Sequence, residues 1–78
     1  MYENSYRKEV KMQKLKDILK ESNIKQADIA NILDIKSLST INLKLNGKAE
    51  FTTKEARQLK DYINQRNNSN YTIEELFE

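Results

Sequence analysis

At 78 residues the chain has room for one small domain. It contains no Cys and no His, which excludes disulfides and thiolate metal sites and removes the commonest general base and metal ligand. Net charge is +2, Pro is absent and Gly occurs once, a composition that favours helices over a sheet built on tight hairpins.

The apolar spacing predicts an all-α chain of five helices. Met12, Leu15, Ile18 and Leu19 recur every three or four residues and predict a first helix over about 6–22. Ser22-Asn23 ends it, and Ile24 packs back onto the core. A second helix over 26–33 buries Ile29, Ala30 and Leu33, with the small Ala30 allowing a neighbouring helix to approach closely. Asp34-Ile35-Lys36 is a turn with Ile35 inward. The third helix, 37–46, points Ile41 and Leu45 inward, starts on Ser37 or Ser39 as N-cap, and stops at Asn46-Gly47, where Gly takes the left-handed conformation cheaply.

Thr52 and Glu55 are spaced as a capping box at the head of a fourth helix, 53–65, whose inward stripe is Ala56, Leu59 and Ile63 with Tyr62 beside it. Thr72 and Glu75 repeat the device for a short fifth helix, 73–77, with Tyr71 stapling onto Leu76. None of these segments is long enough to be stable alone in water. One shared core of Leu15, Ile18, Leu19, Ile29, Ala30, Leu33, Ile35, Ile41, Leu45, Phe51, Ala56, Leu59, Ile63 and Leu76 is therefore expected.

Charge is unevenly spread. Residues 7–16 hold five bases (Arg7, Lys8, Lys11, Lys14, Lys16) against Glu9 alone; residues 35–49 hold Lys36, Lys44 and Lys48 and no acid; residues 70–78 hold three acids and no base. A basic face with an acidic end suits a domain that meets phosphates on one side. The basic N-terminal stretch is either an arm along a nucleic-acid backbone or a solubilising face. No pair among the Ser, Asp and Lys residues stands in a nucleophile or acid–base arrangement, so neither an enzyme nor a cofactor is expected.

Residues 25–48 have the layout of a helix-turn-helix, whose second helix enters the major groove. With Ile41 and Leu45 inward, Ser37, Ser39 and Asn42 lie outward, where hydroxyls and an amide can pair with base edges. Gln26, in the first turn of its helix, is placed to hold a phosphate. Lys44, Asn46 and Lys48 surround the far end of the third helix as contacts to the opposite backbone, and Lys36 and Thr40 complete the expected phosphate set. Leu38 is either buried or in contact with a thymine methyl. Tyr71, Ile73, Leu76 and Phe77 offer more apolar surface than so short a helix needs, which makes them the expected dimerisation patch.

Lys25-Gln26-Ala27-Asp28-Ile29-Ala30, followed by Thr40-Ile41-Asn42-Leu43-Lys44-Leu45-Asn46-Gly47-Lys48, resembles the helix-turn-helix of the bacteriophage repressor and Cro family, the lambda-repressor-like DNA-binding domains. Phe51-Thr52-Thr53-Lys54-Glu55-Ala56 and Tyr71-Thr72-Ile73-Glu74-Glu75-Leu76-Phe77 resemble that family's fourth and fifth helices, so the likeness spans about 15–77. It implies a compact five-helix domain that binds double-stranded operator DNA as a homodimer, with Gln26 and Asn46 on phosphates and Ser37, Ser39 and Asn42 facing bases. Two departures stand out. Asp34 occupies a turn position usually held by Gly, a conformation Asp tolerates better than most residues. The segment Lys36-Ser37-Leu38-Ser39 is one residue longer than usual, which leaves open which of Ser37, Leu38 and Ser39 faces the bases.

The expected function is thus a sequence-specific regulator, a phage or mobile-element transcriptional repressor acting by operator occupancy. The modest charge and acidic end leave room for an alternative: a protein-interaction module of the same fold, an antitoxin-like or anti-repressor partner. No apolar run approaches the roughly 20 residues that span a bilayer, and the first residues lack a signal peptide's apolar stretch. A cytoplasmic location is expected. The Met1 start and lack of a sensor domain favour a stand-alone binder.

Overall fold

A computed structural model describes residues 13–77. They form only helices: α1 (described over 13–21), α2 (Gln26–Leu33), α3 (Leu38–Leu45), α4 (Thr53–Asn67) and α5 (Ile73–Phe77). The expected start of the first helix near Tyr6, the inward Met12 and the basic residues 7–11 lie outside the described residues. None of the described helices is long and apolar enough to cross a membrane.

The helices owe their limits to local hydrogen bonding. Four of them close with the same device: a residue in the left-handed region turns the chain, and the next N–H reaches back five residues to a carbonyl of the last turn. Asn23 (φ 59°) does this for α1, with the Ile24 N–H donating to the Leu19 carbonyl at 2.9 Å. Asp34 (φ 57°) closes α2 through Ile35 N–H to Ala30 O at 2.9 Å, and Gly47 (φ 75°) closes α3 through Lys48 N–H to Leu43 O at 2.9 Å. Asn68 (φ 54°) closes α4 through Ser69 N–H to Asn64 O at 3.0 Å. Three of these positions use Asn or Asp, the non-glycine residues best suited to that conformation.

The starts are as local. Thr52 Oγ1 accepts from the Glu55 N–H at 3.1 Å while Glu55 Oε1 accepts from the Thr52 N–H at 3.0 Å, and Thr72 with Glu75 makes the same reciprocal pair at 3.1 and 2.9 Å. The Asp28 carboxylate accepts from the Lys25 N–H ahead of α2.

One apolar cluster joins the elements: Leu15, Ile18, Leu19 and Ile24 from the first helix and its exit, Ile29 and Leu33 from α2, Ile41 and Leu45 from α3, Leu59 and Ile63 from α4, and Leu76 from α5. Ala56 is buried as well, and Ala30, Ile35 and Phe51 pack against the cluster half-buried. α2 packs against both α3 and α4, and α4 receives α5. α4 runs to Asn67, past the end at residue 65 expected from the apolar pattern. Arg66 Nε donates to the Ser22 carbonyl at 2.9 Å and Asn67 Nδ2 to the Ser22 hydroxyl at 2.6 Å, polar ties to the end of α1 that an apolar stripe does not mark.

Candidate nucleic-acid interface

α2 and α3 are joined by residues 34–37, and this short connection leaves the first turn of α3 at the surface. Ser37 caps the helix: its Oγ accepts from the Thr40 N–H at 3.4 Å, and the helix proper begins with Leu38. Ile41, Lys44 and Leu45 face the interior. On a 3.6-residue turn their complement is an outward arc of Leu38, Ser39, Asn42 and Leu43, all exposed. Ser37, Leu38 and Ser39 are all exposed, and of the two serines Ser37 spends its hydroxyl on the helix start.

The flank of α3 that faces α1 carries a polar relay. Asn46 Nδ2 donates to both the main-chain carbonyl and the Oδ1 of Asn42, each at 2.9 Å, and Asn46 Oδ1 accepts from Lys16 Nζ at 2.8 Å. A carbonyl oxygen has two lone pairs, so Asn42 Oδ1 keeps one, and its amide keeps its donors, in an orientation fixed by Asn46. These residues line a depression of about 310 Å³ together with Gln26, Lys20, Leu19, Ile24, Ile29 and Leu45. Three of the residues singled out in the sequence, Gln26, Asn42 and Asn46, therefore meet in one concavity, and its lining contains two lysines and no acid. Lys20 carried no signal in the sequence beyond a solvated helix position. Lys16 belonged to the basic stretch, but its tie to Asn46 spans 30 residues and has no local trace.

Lys44 departs from the expected phosphate set. Its side chain is turned inward and is only 11% exposed. The ammonium donates to Glu55 Oε1 at 2.8 Å and to the Glu50 carbonyl at 2.9 Å, and it lies 5.7 Å from the centre of the Phe51 ring. The charge is consumed in fixing α3 to the start of α4 and is not presented to a ligand. Burial disfavours the Glu55 carboxylate, but the Lys44 ammonium and the Thr52 N–H and hydroxyl outweigh it and hold that carboxyl below its ordinary value. The remaining members of the set sit as surface groups: Lys36 and Lys48 are exposed, and Thr40 is half-buried.

The expected dimerisation patch is also partly consumed. Leu76 is fully buried and belongs to the core, where it is the buried anchor of the short α5. Phe77 meets Phe51 edge-to-face with ring centroids 5.1 Å apart. Tyr71 is half-buried, and Asn64 holds its backbone at both ends, the N–H at 2.8 Å and the carbonyl at 2.9 Å. What stays accessible is a cleft of about 530 Å³ where Ile73, Phe77, Phe51 and Ala56 meet the Gly47–Thr53 segment.

Comparison with known proteins finds no matching family model, curated protein or solved structure.

Proposed function

We propose that this chain is a sequence-specific double-stranded DNA-binding domain of the lambda-repressor-like helix-turn-helix type, working as a transcriptional repressor that occupies its operator. The observation that carries the reading is the acid-free surface in which the exposed first turn of α3 adjoins the Gln26–Asn42–Asn46 depression with Lys16 and Lys20. α3 enters the major groove with Ser39 and Asn42 toward base edges, while Gln26, Asn46, Lys16 and Lys20 hold the phosphate backbone on one flank. Lys36 and Lys48 extend the positive surface beyond the two ends of α3. Affinity comes mainly from phosphate neutralisation and falls steeply with salt, whereas the outward arc of α3 sets sequence preference.

The protein binds as a homodimer on a two-fold site, and the Phe51–Ile73–Phe77 cleft supplies the self-association surface. Ile73→Lys, which spares the buried Leu76, should give a folded monomer in analytical ultracentrifugation and weaken operator binding. A wild type that is monomeric both free and on DNA removes the dimer from the proposal.

The deciding experiment is selection from random-sequence duplex DNA at about physiological salt, with sequencing of the retained fraction. Enrichment of one motif, as an inverted repeat with half-sites about one helical turn apart, is the expected result. Weak, salt-sensitive retention without enrichment would overturn it and favour a protein partner.

A further inference from the structure

Six of the eight leucines in the chain, Leu15, Leu19, Leu33, Leu45, Leu59 and Leu76, are buried, and the two that are not, Leu38 and Leu43, both lie on the eight-residue α3. Leu38 is 50% and Leu43 44% exposed, and these are the large hydrophobic side chains that stand exposed among the described residues. A scattered surface leucine needs no account. Two on one short helix, when every other leucine is in the core, mark a surface that has an apolar occupant.

Their placement narrows what that occupant is. Five residues of helix turn through roughly 140° beyond a full revolution, so Leu38 and Leu43 stand at the two edges of the outward arc, with Ser39 and Asn42 between them. Along the axis they are separated by about 7.5 Å, and the rotation between them splays their ends further apart, so the two side chains reach separate groups on any surface that α3 meets. The surface around them is basic: residues 35–49 contain no acid, Lys36 and Lys48 are exposed, and Lys16 and Lys20 line the adjoining depression. The complementary surface is one in which isolated apolar groups sit among hydrogen-bonding groups inside a negatively charged frame. The major groove of DNA has that character, and its apolar groups are the C5-methyls of thymine.

We infer that Leu38 and Leu43 read thymine methyl groups, each contacting one methyl in the major groove, on either side of the bases addressed by Ser39 and Asn42. The inference rests on the DNA-binding reading and deepens it: the preferred half-site carries two separate thymines, one at each edge of the bases that α3 addresses. Sequence preference then comes from two apolar contacts as well as from hydrogen bonds, and the leucines remain exposed in the free protein because their partner is the ligand.

The test uses the duplex recovered most often by selection from random DNA, resynthesised with deoxyuridine in place of thymidine one position at a time. This removes a methyl and leaves every hydrogen-bonding group in place. Loss of a contacted methyl should weaken wild-type binding about fourfold, the equivalent of one buried carbon, at two positions in each half-site. Leu38→Ala should abolish the penalty at one of these positions and Leu43→Ala at the other. Both variants should keep the wild-type helical circular dichroism, since the side chains are exposed. Wild-type affinity that is unchanged by uracil at every position, or a penalty that survives in both variants, would overturn the inference while leaving DNA binding intact. If selection enriches no duplex, the inference falls together with the reading beneath it. Dependence of a captured protein partner on Leu38 and Leu43 would then assign the surface to that partner.

Discussion

α3 and α4 are neighbouring amphipathic helices built on opposite terms. α4 is made largely of strong helix formers, starts on a reciprocal cap with bonds of 3.0 and 3.1 Å, and exposes charged residues such as Lys54, Arg57, Asp61 and Arg66. α3 is half as long, carries Ser39, Thr40, Ile41 and Asn42 in succession, all weaker helix formers, and is capped by a single bond of 3.4 Å. Its exposed arc, Leu38, Ser39, Asn42 and Leu43, has no charge at all. Propensity and solvation account for the outside of α4. They do not account for the outside of α3, whose helix is held in place by Ile41, Leu45 and the Lys44 ion pair from within. Residues chosen against a helix's own stability, on an exposed face where Asn42 bonds Asn46 and the two leucines stand in solvent, are best explained by contact with something else.

Substitutions on the two helices should therefore separate stability from binding. The largest effect is expected from Leu59→Ala in α4, a fully buried side chain at the centre of the cluster. It should cost about 3 kcal/mol in urea unfolding, a large part of what a domain of this size has to spare, while the fraction that remains folded binds normally. A loss below about 1 kcal/mol would mean that α4 is not the anchor.

Next comes the joint between the helices. Glu55→Gln keeps the capping geometry but leaves the Lys44 ammonium in its partly buried site without a counter-charge, at a cost of about 2 kcal/mol. The same pair sets an acid dependence. Because the Glu55 carboxyl is held below its ordinary 4.5, its contribution is fully present above that pH and is lost as pH falls through the lowered value. Urea midpoints measured from neutral to about pH 2 should show a loss of stability in the wild type that is shallower in Glu55→Gln. Parallel curves would assign the acid sensitivity to other carboxylates.

The pattern of what sequence could and could not anticipate follows the range of each interaction. The caps at Thr52 and Thr72, the inward stripes and the Asn46-Gly47 stop are set by residues within one helical turn of each other, and all are readable in the chain. Lys44 lies three residues after Ile41 and one before Leu45, on the inward arc by spacing alone, yet a lysine there reads as solvated until its partner is known. That partner, Glu55, is eleven residues away in another helix and is already accounted for by its capping role. The Lys16–Asn46 bond crosses thirty residues and brings Lys16 of α1 to the end of α3. Leu76 fits both a core and an interface in sequence, and burial alone separates the two. The exposure of Leu43 was hidden for a similar reason: among Ile41, Leu43 and Leu45, periodicity marks the inward pair but does not make the odd leucine informative.

The smallest energetic effect, and the sharpest test of the contrast, belongs to Asn42. Its exposed side chain contributes little to folding, so Asn42→Ala should change stability by less than about 0.5 kcal/mol. It should nevertheless narrow the ratio of operator to random-DNA affinity about tenfold, the worth of one good base contact. Gln26→Ala, on the phosphate side of the same depression, should lower both affinities together and leave that ratio unchanged. Asn46→Ala should do some of each, since it releases Lys16 and also frees the Asn42 amide from its fixed orientation. An unchanged ratio in Asn42→Ala would take that residue out of the base-reading set. The specificity of α3 would then have to come from Ser39 and the two exposed leucines, and the relay through Asn46 would serve only to bring Lys16 to the DNA backbone.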